Sequence, residues 1–108
     1  MSITVPRGKQ DKILDQIIEA LRTYQNDHPN ARIEIYRYNK FSVRIRITDA
    51  GFADQTRSER SKAVWKYLET LDDEAQADIT SLILLAPGES GISLTNLEFD
   101  DPTPSTFP

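Results

Sequence analysis

Apolar residues recur at helical spacing near the start of the chain and at alternating spacing in its middle. The first pattern repeats at intervals of one, three and four residues and predicts a helix over about residues 9–24. That helix should end near Pro29, because proline disfavours helical backbone at the residue before it. The apolar stripe that this helix would bury consists of Ile13, Leu14, Ile17, Ile18 and Leu21.

Residues 31–38 and 41–48 alternate between apolar and polar positions and are rich in β-branched and aromatic side chains, which predicts a β-hairpin. Asn39-Lys40 is the expected two-residue turn, since Asn tolerates the left-handed conformation of a type I′ turn. The buried face of the second strand is expected to carry Phe41, Val43, Ile45 and Ile47.

The second half of the chain predicts two more helices and a third strand. Thr56 and Glu59 have the spacing of a capping box, which would begin a helix that runs to about Leu71. A short helix with an acidic start is expected next, over residues 72–76. The nearly continuous apolar run 79–86 predicts a strand buried on both faces and parallel to the preceding strand. The last apolar positions, for a short element packed back on the core, are Ile92, Leu94, Leu97 and Phe99.

The resulting order, α-β-β-α-(α)-β, predicts an α+β fold with a three-stranded mixed sheet and the helices on one face. The 108 residues are enough for a single domain with its own hydrophobic core. We expect an N-terminal arm over residues 1–8, the domain over residues 9–99, and an acidic, proline-containing tail over residues 100–108.

This order of elements resembles the type II KH-like topology, and in particular that of BolA-like proteins. The resemblance covers about residues 12–86 and is carried best by positions 41–68, FSVRIRITDAGFADQTRSERSKAVWKYL. The residues that match the Phe, the Arg and the apolar-aromatic pair of the BolA pattern are Phe52, Arg60, Val64 and Trp65. The resemblance places the family's third strand at residues 79–86.

The chain departs from the BolA pattern where that family binds an iron–sulfur cluster. Ser61 stands where the family has the His that helps to ligate a cluster with a glutaredoxin partner, and Asp54 stands where it has Gly. The hairpin loop, Asn39-Lys40, offers no Cys or His as a second ligand. The resemblance therefore implies the topology without cluster binding. Residues 88–91 spell the GxxG of KH domains, but they follow the last strand and are interpreted as a turn.

Composition excludes several classes of function. The chain has no Cys and a single His, His28, which excludes disulfides, thiolate metal sites and catalytic arrangements that need two His. No P-loop, GxSxG or dinucleotide-binding motif is present, so we expect no enzymatic activity, no cofactor and no metal. No apolar run approaches the roughly 18 residues of a membrane span, and the start of the chain has no signal-peptide core. We therefore expect a cytoplasmic protein without a membrane partner.

The net charge of −4 hides an uneven distribution. Residues 31–66 carry nine basic and four acidic residues, whereas residues 67–108 carry nine acidic residues and no basic one. This distribution is typical of a basic binding face with an acidic tail. It is more typical, however, of two regions that simply attract each other, within the fold or across a dimer.

The hairpin's outward face is the candidate binding site, because it interleaves basic with aromatic side chains. Such a surface can contact a protein, or it can pair with phosphates and stack on bases. We predict a non-enzymatic protein-interaction domain, adaptor or regulatory, that binds a partner protein or a second copy of itself. The alternative is a nucleic-acid-binding module on a KH-like scaffold. The candidate binding residues are Arg32, Tyr36, Tyr38, Lys40, Arg44 and Arg46.

Overall fold

A computed structural model describes residues 3–89 and 94–106, without the side chain of Leu94. Ile92, which we expected to join a late element, lies outside the described residues. The elements in chain order are β1 (Ile3–Thr4), α1 (Lys12–Asp27), β2 (Arg32–Asn39), β3 (Ser42–Thr48), a 3₁₀ turn (Ala50–Phe52), α2 (Arg57–Leu68), α3 (Asp73–Asp78), β4 (Ile79–Leu85) and α4 (Leu94–Asp100).

The strands form one mixed sheet in the order β1-β2-β3-β4. The central pair, β2 and β3, is antiparallel, while β1 runs parallel to β2 and β4 runs parallel to β3. The α+β class and the mixed sheet are confirmed, but the prediction of three strands is wrong. The additional strand lies in the predicted N-terminal arm, where Ile3 and Thr4 pair with Ile33 and Glu34. Two residues are too few to show strand periodicity in a sequence.

Helices cover both faces of the sheet, so the prediction of helices on one face is wrong. The inner face packs against α1 and α2 and carries Ile33, Ile35, Ile45 and Ile47, all fully buried. The outer face has a second, smaller core, in which Phe99 of α4 packs against Tyr36 and Ile83. Of the late apolar positions, Phe99 therefore does pack on the sheet, but on the side opposite to the main helices, whereas Leu97 is largely exposed.

Local capping fixes where the main helices begin. The Asp11 side chain accepts a hydrogen bond from the N–H of Leu14 (2.9 Å) at the start of α1. At the start of α2 the predicted capping box is confirmed: Thr56 accepts from the N–H of Glu59, and Glu59 accepts from the N–H of Thr56. α1 ends at Asp27 with His28 as its C-cap residue, next to Pro29 as expected.

The hairpin turn lies one residue later than predicted. Asn39 still pairs with Ser42, and the turn residues are Lys40 and Phe41. No described residue other than glycine has a positive φ, so the expected type I′ turn is wrong. Instead, the Asn39 side chain accepts a hydrogen bond from the N–H of Phe41 (2.8 Å), and Phe41 is 56% exposed rather than buried.

Candidate functional site

The predicted binding residues do lie on one outer face of the hairpin, but the chain itself covers the middle of that face. The cover consists of α4 and the following residues 101–106, which we call the C-terminal cover. Arg46 is the best-enclosed basic side chain: its guanidinium donates to Glu34 (2.9 Å), to Asp100 (2.8 Å) and to the side-chain oxygen of Asn96 (2.7 Å). The positive charge of Arg46 is therefore already paired within the chain.

Tyr36 and Arg44 are held by the same cover. The Tyr36 hydroxyl donates to the carbonyl of Phe99 (2.9 Å), and the two rings meet edge to face with centroids 4.9 Å apart. Arg44 donates to Glu98 (2.9 Å) and lies over the ring of Tyr38. Hydrogen bonds from Thr103 and from Arg44 lower the pKa of Glu98, which keeps this carboxylate charged.

The ends of the outer face differ from its middle. The Tyr38 hydroxyl donates to the carbonyl of Thr103, so the cover extends to this ring. Arg32 and Lys40 remain exposed at opposite ends of the hairpin. The structure thus brings four of the six predicted residues together under the acidic segment, in the arrangement expected if the two charged regions attract each other within the fold.

A second candidate surface lies at the edge of the sheet formed by β4. The Leu85 carbonyl accepts a hydrogen bond from the N–H of Asp49 (2.9 Å), just past the end of β3, so the backbone groups of Leu85 face β3. Successive residues of a strand direct these groups to alternate sides, so those of Leu84 and Leu82 face away from the sheet. The Leu84 carbonyl accordingly accepts from Arg60 of α2 (3.1 Å). No described strand pairs with this side of β4.

A groove of about 530 Å³ separates this edge from α2, and we call it the edge groove. Leu82 and Leu84 are only half-buried, whereas Ile45 and Ile47 of the neighbouring strand are fully buried. The helical layer therefore covers β4 only in part, and the prediction that this strand is buried on both faces is wrong. The wall that α2 contributes to the edge groove carries Arg57, Arg60, Ser61 and Trp65.

The exposed side of α2 beside the edge groove is basic. A second depression shares Ser61 and Trp65 with the edge groove and is also lined by Ser58, Lys62, Lys66 and Glu69. Within residues 3–89 and 94–106, neither these two lysines nor Arg57 forms an ion pair. Their charges are therefore available to a ligand.

An Arg60–Glu89 ion pair closes the far end of the edge groove. Its two hydrogen bonds measure 2.6 and 3.0 Å, and Glu89 also accepts from the backbone N–H of Ala86 (3.0 Å). The hydrogen bond from Arg60, followed by that from Ala86, lowers the pKa of Glu89 to about 2. A carboxylate is thus held at the end of β4 by a side chain of α2 and by the strand's own continuation.

This ion pair predicts a pH-dependent contribution to stability. A carboxyl group with a lowered pKa in the folded state stabilises fully above its ordinary value of 4.5, and this contribution disappears as the pH falls toward 2. We expect Glu89→Gln to lower the urea midpoint at pH 7 and to have a progressively smaller effect between pH 4.5 and 2. The exposed Asp54→Asn serves as the control and should show no such trend; an equal effect of Glu89→Gln at every pH would contradict the assignment.

A buried polar cluster links the end of α1 to the end of β3. The Asp49 carboxylate accepts from the Tyr24 hydroxyl (2.6 Å), from the N–H of Gly51 (2.9 Å) and lies 3.3 Å from Nδ1 of His28. His28 stacks on the Tyr24 ring at 4.2 Å. Burial and the Asp49 carboxylate raise the pKa of Tyr24. These groups satisfy one another within the fold, and none of them lines the edge groove.

Among the described residues, no group of His, Asp and Glu has the arrangement of a metal site. No helix in those same parts of the chain is long and apolar enough to cross a membrane. Comparisons with protein-family models, with curated proteins and with solved structures found no match.

The edge groove was missed by the sequence analysis. In the sequence, Arg60 and Trp65 match the BolA pattern and Glu89 belongs to an expected turn, and none of the three indicates a groove. The apolar run of β4 does not reveal whether a strand is central or at an edge, because both are rich in Leu and Ile. The one available sign is Thr80-Ser81, two polar residues within that run.

Proposed function

We propose that this chain is a non-enzymatic protein-interaction domain that adds an extended segment of a partner protein to the edge of β4. The observation that carries the proposal is that the backbone N–H and C=O of Leu82 face away from the sheet and have no neighbouring strand among the described residues. This edge borders the edge groove, which is lined by the half-buried Leu82 and Leu84 on one side and by α2 on the other. A guest strand would hydrogen-bond to this edge and place alternate side chains in the edge groove.

The dimensions of the edge suit a short segment. β4 has seven residues, and Arg60 already occupies the Leu84 carbonyl near its end. A guest of about five residues can therefore pair with the strand before it reaches the Arg60–Glu89 ion pair. Trp65, the only Trp in the chain, lies in the wall beside this path and provides a fluorescent reporter.

The outer hairpin face is less suited to binding a partner than the edge of β4. Binding there would have to replace the ion pairs of Arg44 and Arg46 and the packing of Phe99. These contacts also weigh against the nucleic-acid alternative, since the basic side chains that would pair with phosphates are engaged by Glu34, Glu98 and Asp100.

Selection of peptides from a random library tests the proposal. We expect phage-displayed peptides of about twelve residues to be selected by the full chain and to change the emission of Trp65 when they bind. Ser61→Trp, which would fill the edge groove from α2, should weaken binding by about tenfold or more.

The matched control is Thr23→Trp, at an exposed position of α1 and outside the lining of both the edge groove and the neighbouring depression. It should leave the affinity within about twofold of the original. The proposal is wrong if no peptide is selected, or if Ser61→Trp and Thr23→Trp weaken binding equally.

A further inference from the structure

We infer that the guest segment is acidic and that one of its carboxylates replaces Glu89 on Arg60. This inference rests on the function proposed above and specifies the chemistry of the partner. Its basis is the Arg60–Glu89 ion pair, in which a carboxylate of the chain occupies the end of the path that a guest strand would follow.

The contacts of Glu89 identify the ligand chemistry of this position. One carboxylate accepts hydrogen bonds from both terminal nitrogens, Nη1 and Nη2, of the Arg60 guanidinium and, through Oε1, from the N–H of Ala86. Ala86 is the next alternate residue after Leu82 and Leu84, so its N–H also faces away from β3. The position therefore recognises a carboxylate with a planar two-pronged donor and with strand backbone at the same time.

Glu89 can be exchanged for a guest carboxylate without rebuilding the core. Its side chain is 41% exposed, whereas that of Arg60 is 11% exposed and is also fixed by the carbonyls of Gln55 (3.1 Å) and Leu84. The basic partner would stay in place while the acidic one swings outward. Glu89 thus competes with the guest for Arg60, so its removal should strengthen binding.

The unpaired charges of α2 favour an acidic guest over a second copy of the chain. Arg57, Lys62 and Lys66 lie along the rim that a guest strand would pass, and none of them is neutralised by a described residue. Two copies joined through their β4 edges would bring two such basic helices close together, which costs free energy. An acidic segment is instead attracted by these three basic side chains, which outnumber the one acidic residue, Glu69, beside them.

Three synthetic peptides test the inference. They share one β-favouring sequence, Thr-Val-Thr-Val-X-Val-X-Thr with a fluorescein label, in which both X are Glu, Gln or Lys. We expect the full chain to bind the Glu peptide about tenfold more tightly than the Gln peptide, and the Lys peptide more weakly still. The preference for Glu should shrink as salt is added.

Two variants of the chain assign the effect to the ion pair. Glu89→Gln should tighten binding of the Glu peptide about threefold or more, because Arg60 is released from its internal partner. Arg60→Gln should remove most of the difference between the Glu and Gln peptides. Arg22→Gln is the matched control, since Arg22 pairs with Glu19 on α1 and lies outside the edge groove; it should leave that difference unchanged.

The outcomes separate the inference from the function on which it rests. If library peptides are selected and bind at the edge groove while the three synthetic peptides bind equally or not at all, the inference is wrong and the proposed function stands. The inference is also wrong if Glu89→Gln fails to tighten binding. If sedimentation shows a dimer that Ser61→Trp dissociates, a second copy occupies the edge, and the acidic guest is excluded.

Discussion

Phe99→Ala is expected to lower the free energy of unfolding by about 3 kcal/mol, the usual cost of removing a buried Phe ring. Phe99 is 1% exposed, packs between Tyr36 and Ile83, and accepts hydrogen bonds on its carbonyl from Tyr36 and from Arg7. It is therefore the main apolar anchor of α4 on the outer face. Denaturation in urea, followed by circular dichroism, measures the change.

Leu97→Ala is the control for Phe99→Ala, because it lies on the same helix but is 51% exposed. It should change the free energy of unfolding by less than about 0.5 kcal/mol. Equal effects of the two substitutions would contradict the packing of α4 on the sheet.

Loosening α4 also bears on the nucleic-acid alternative. Phe99→Ala should make Arg44 and Arg46 more accessible, since both are paired to residues of this helix. If the alternative were right, the variant would bind a labelled single-stranded oligonucleotide at low salt more tightly than the unmodified chain does. We expect neither protein to bind it measurably.

Asp49→Ala is expected to destabilise the chain by about 3 kcal/mol, because it leaves several buried or half-buried donors without an acceptor. The Tyr24 hydroxyl and the N–H of Gly51 both donate to this carboxylate, which is itself buried. The substitution thus removes the link between the end of α1 and the segment after β3. The free energy of unfolding at neutral pH measures the effect.

Tyr24→Phe distinguishes the contribution of the Tyr24 hydroxyl to stability from that of its ring. It removes one hydrogen bond but keeps the stacking on His28 and the edge-to-face contact with Tyr67, so we expect a smaller loss of about 1 kcal/mol. A loss for Asp49→Ala no larger than that for Tyr24→Phe would show that the other contacts of Asp49 contribute little.

The parts of the fold predicted from the sequence are those with long, regular patterns. The stripe from Leu14 to Leu21 and the alternation across both hairpin strands repeat over enough residues to specify an element. The Thr56 capping box does not repeat, but its two residue types at a fixed spacing mark the start of a helix. The strand at Ile3–Thr4 and the turn at Lys40–Phe41 depend on pairing and side-chain hydrogen bonds that no period reveals. Asn39 accepts from Phe41 rather than adopting a left-handed backbone, which moves the turn.

The candidate site was predictable only in part. Alternation placed Tyr36, Arg44 and Arg46 correctly on the outer face, but it could not show that α4 crosses this face, since the linking residues carry no strong pattern. The edge of β4 depends on strand order, which is a long-range property. The sequence also showed that most basic and most acidic residues lie in separate segments. Only the structure showed that these two segments form ion pairs with each other, between β3 and α4.

Amide hydrogen exchange at the edge of β4 tests the central claim most directly. In the free chain we expect rapid exchange at the N–H of Leu82 and slow exchange at Ile83, whose backbone groups face β3. A bound library peptide should slow exchange at Leu82 and leave the amides of α1 unchanged. Slow exchange at Leu82 in the free chain, or exchange there that a bound peptide does not alter, would contradict the claim that this edge receives a guest strand.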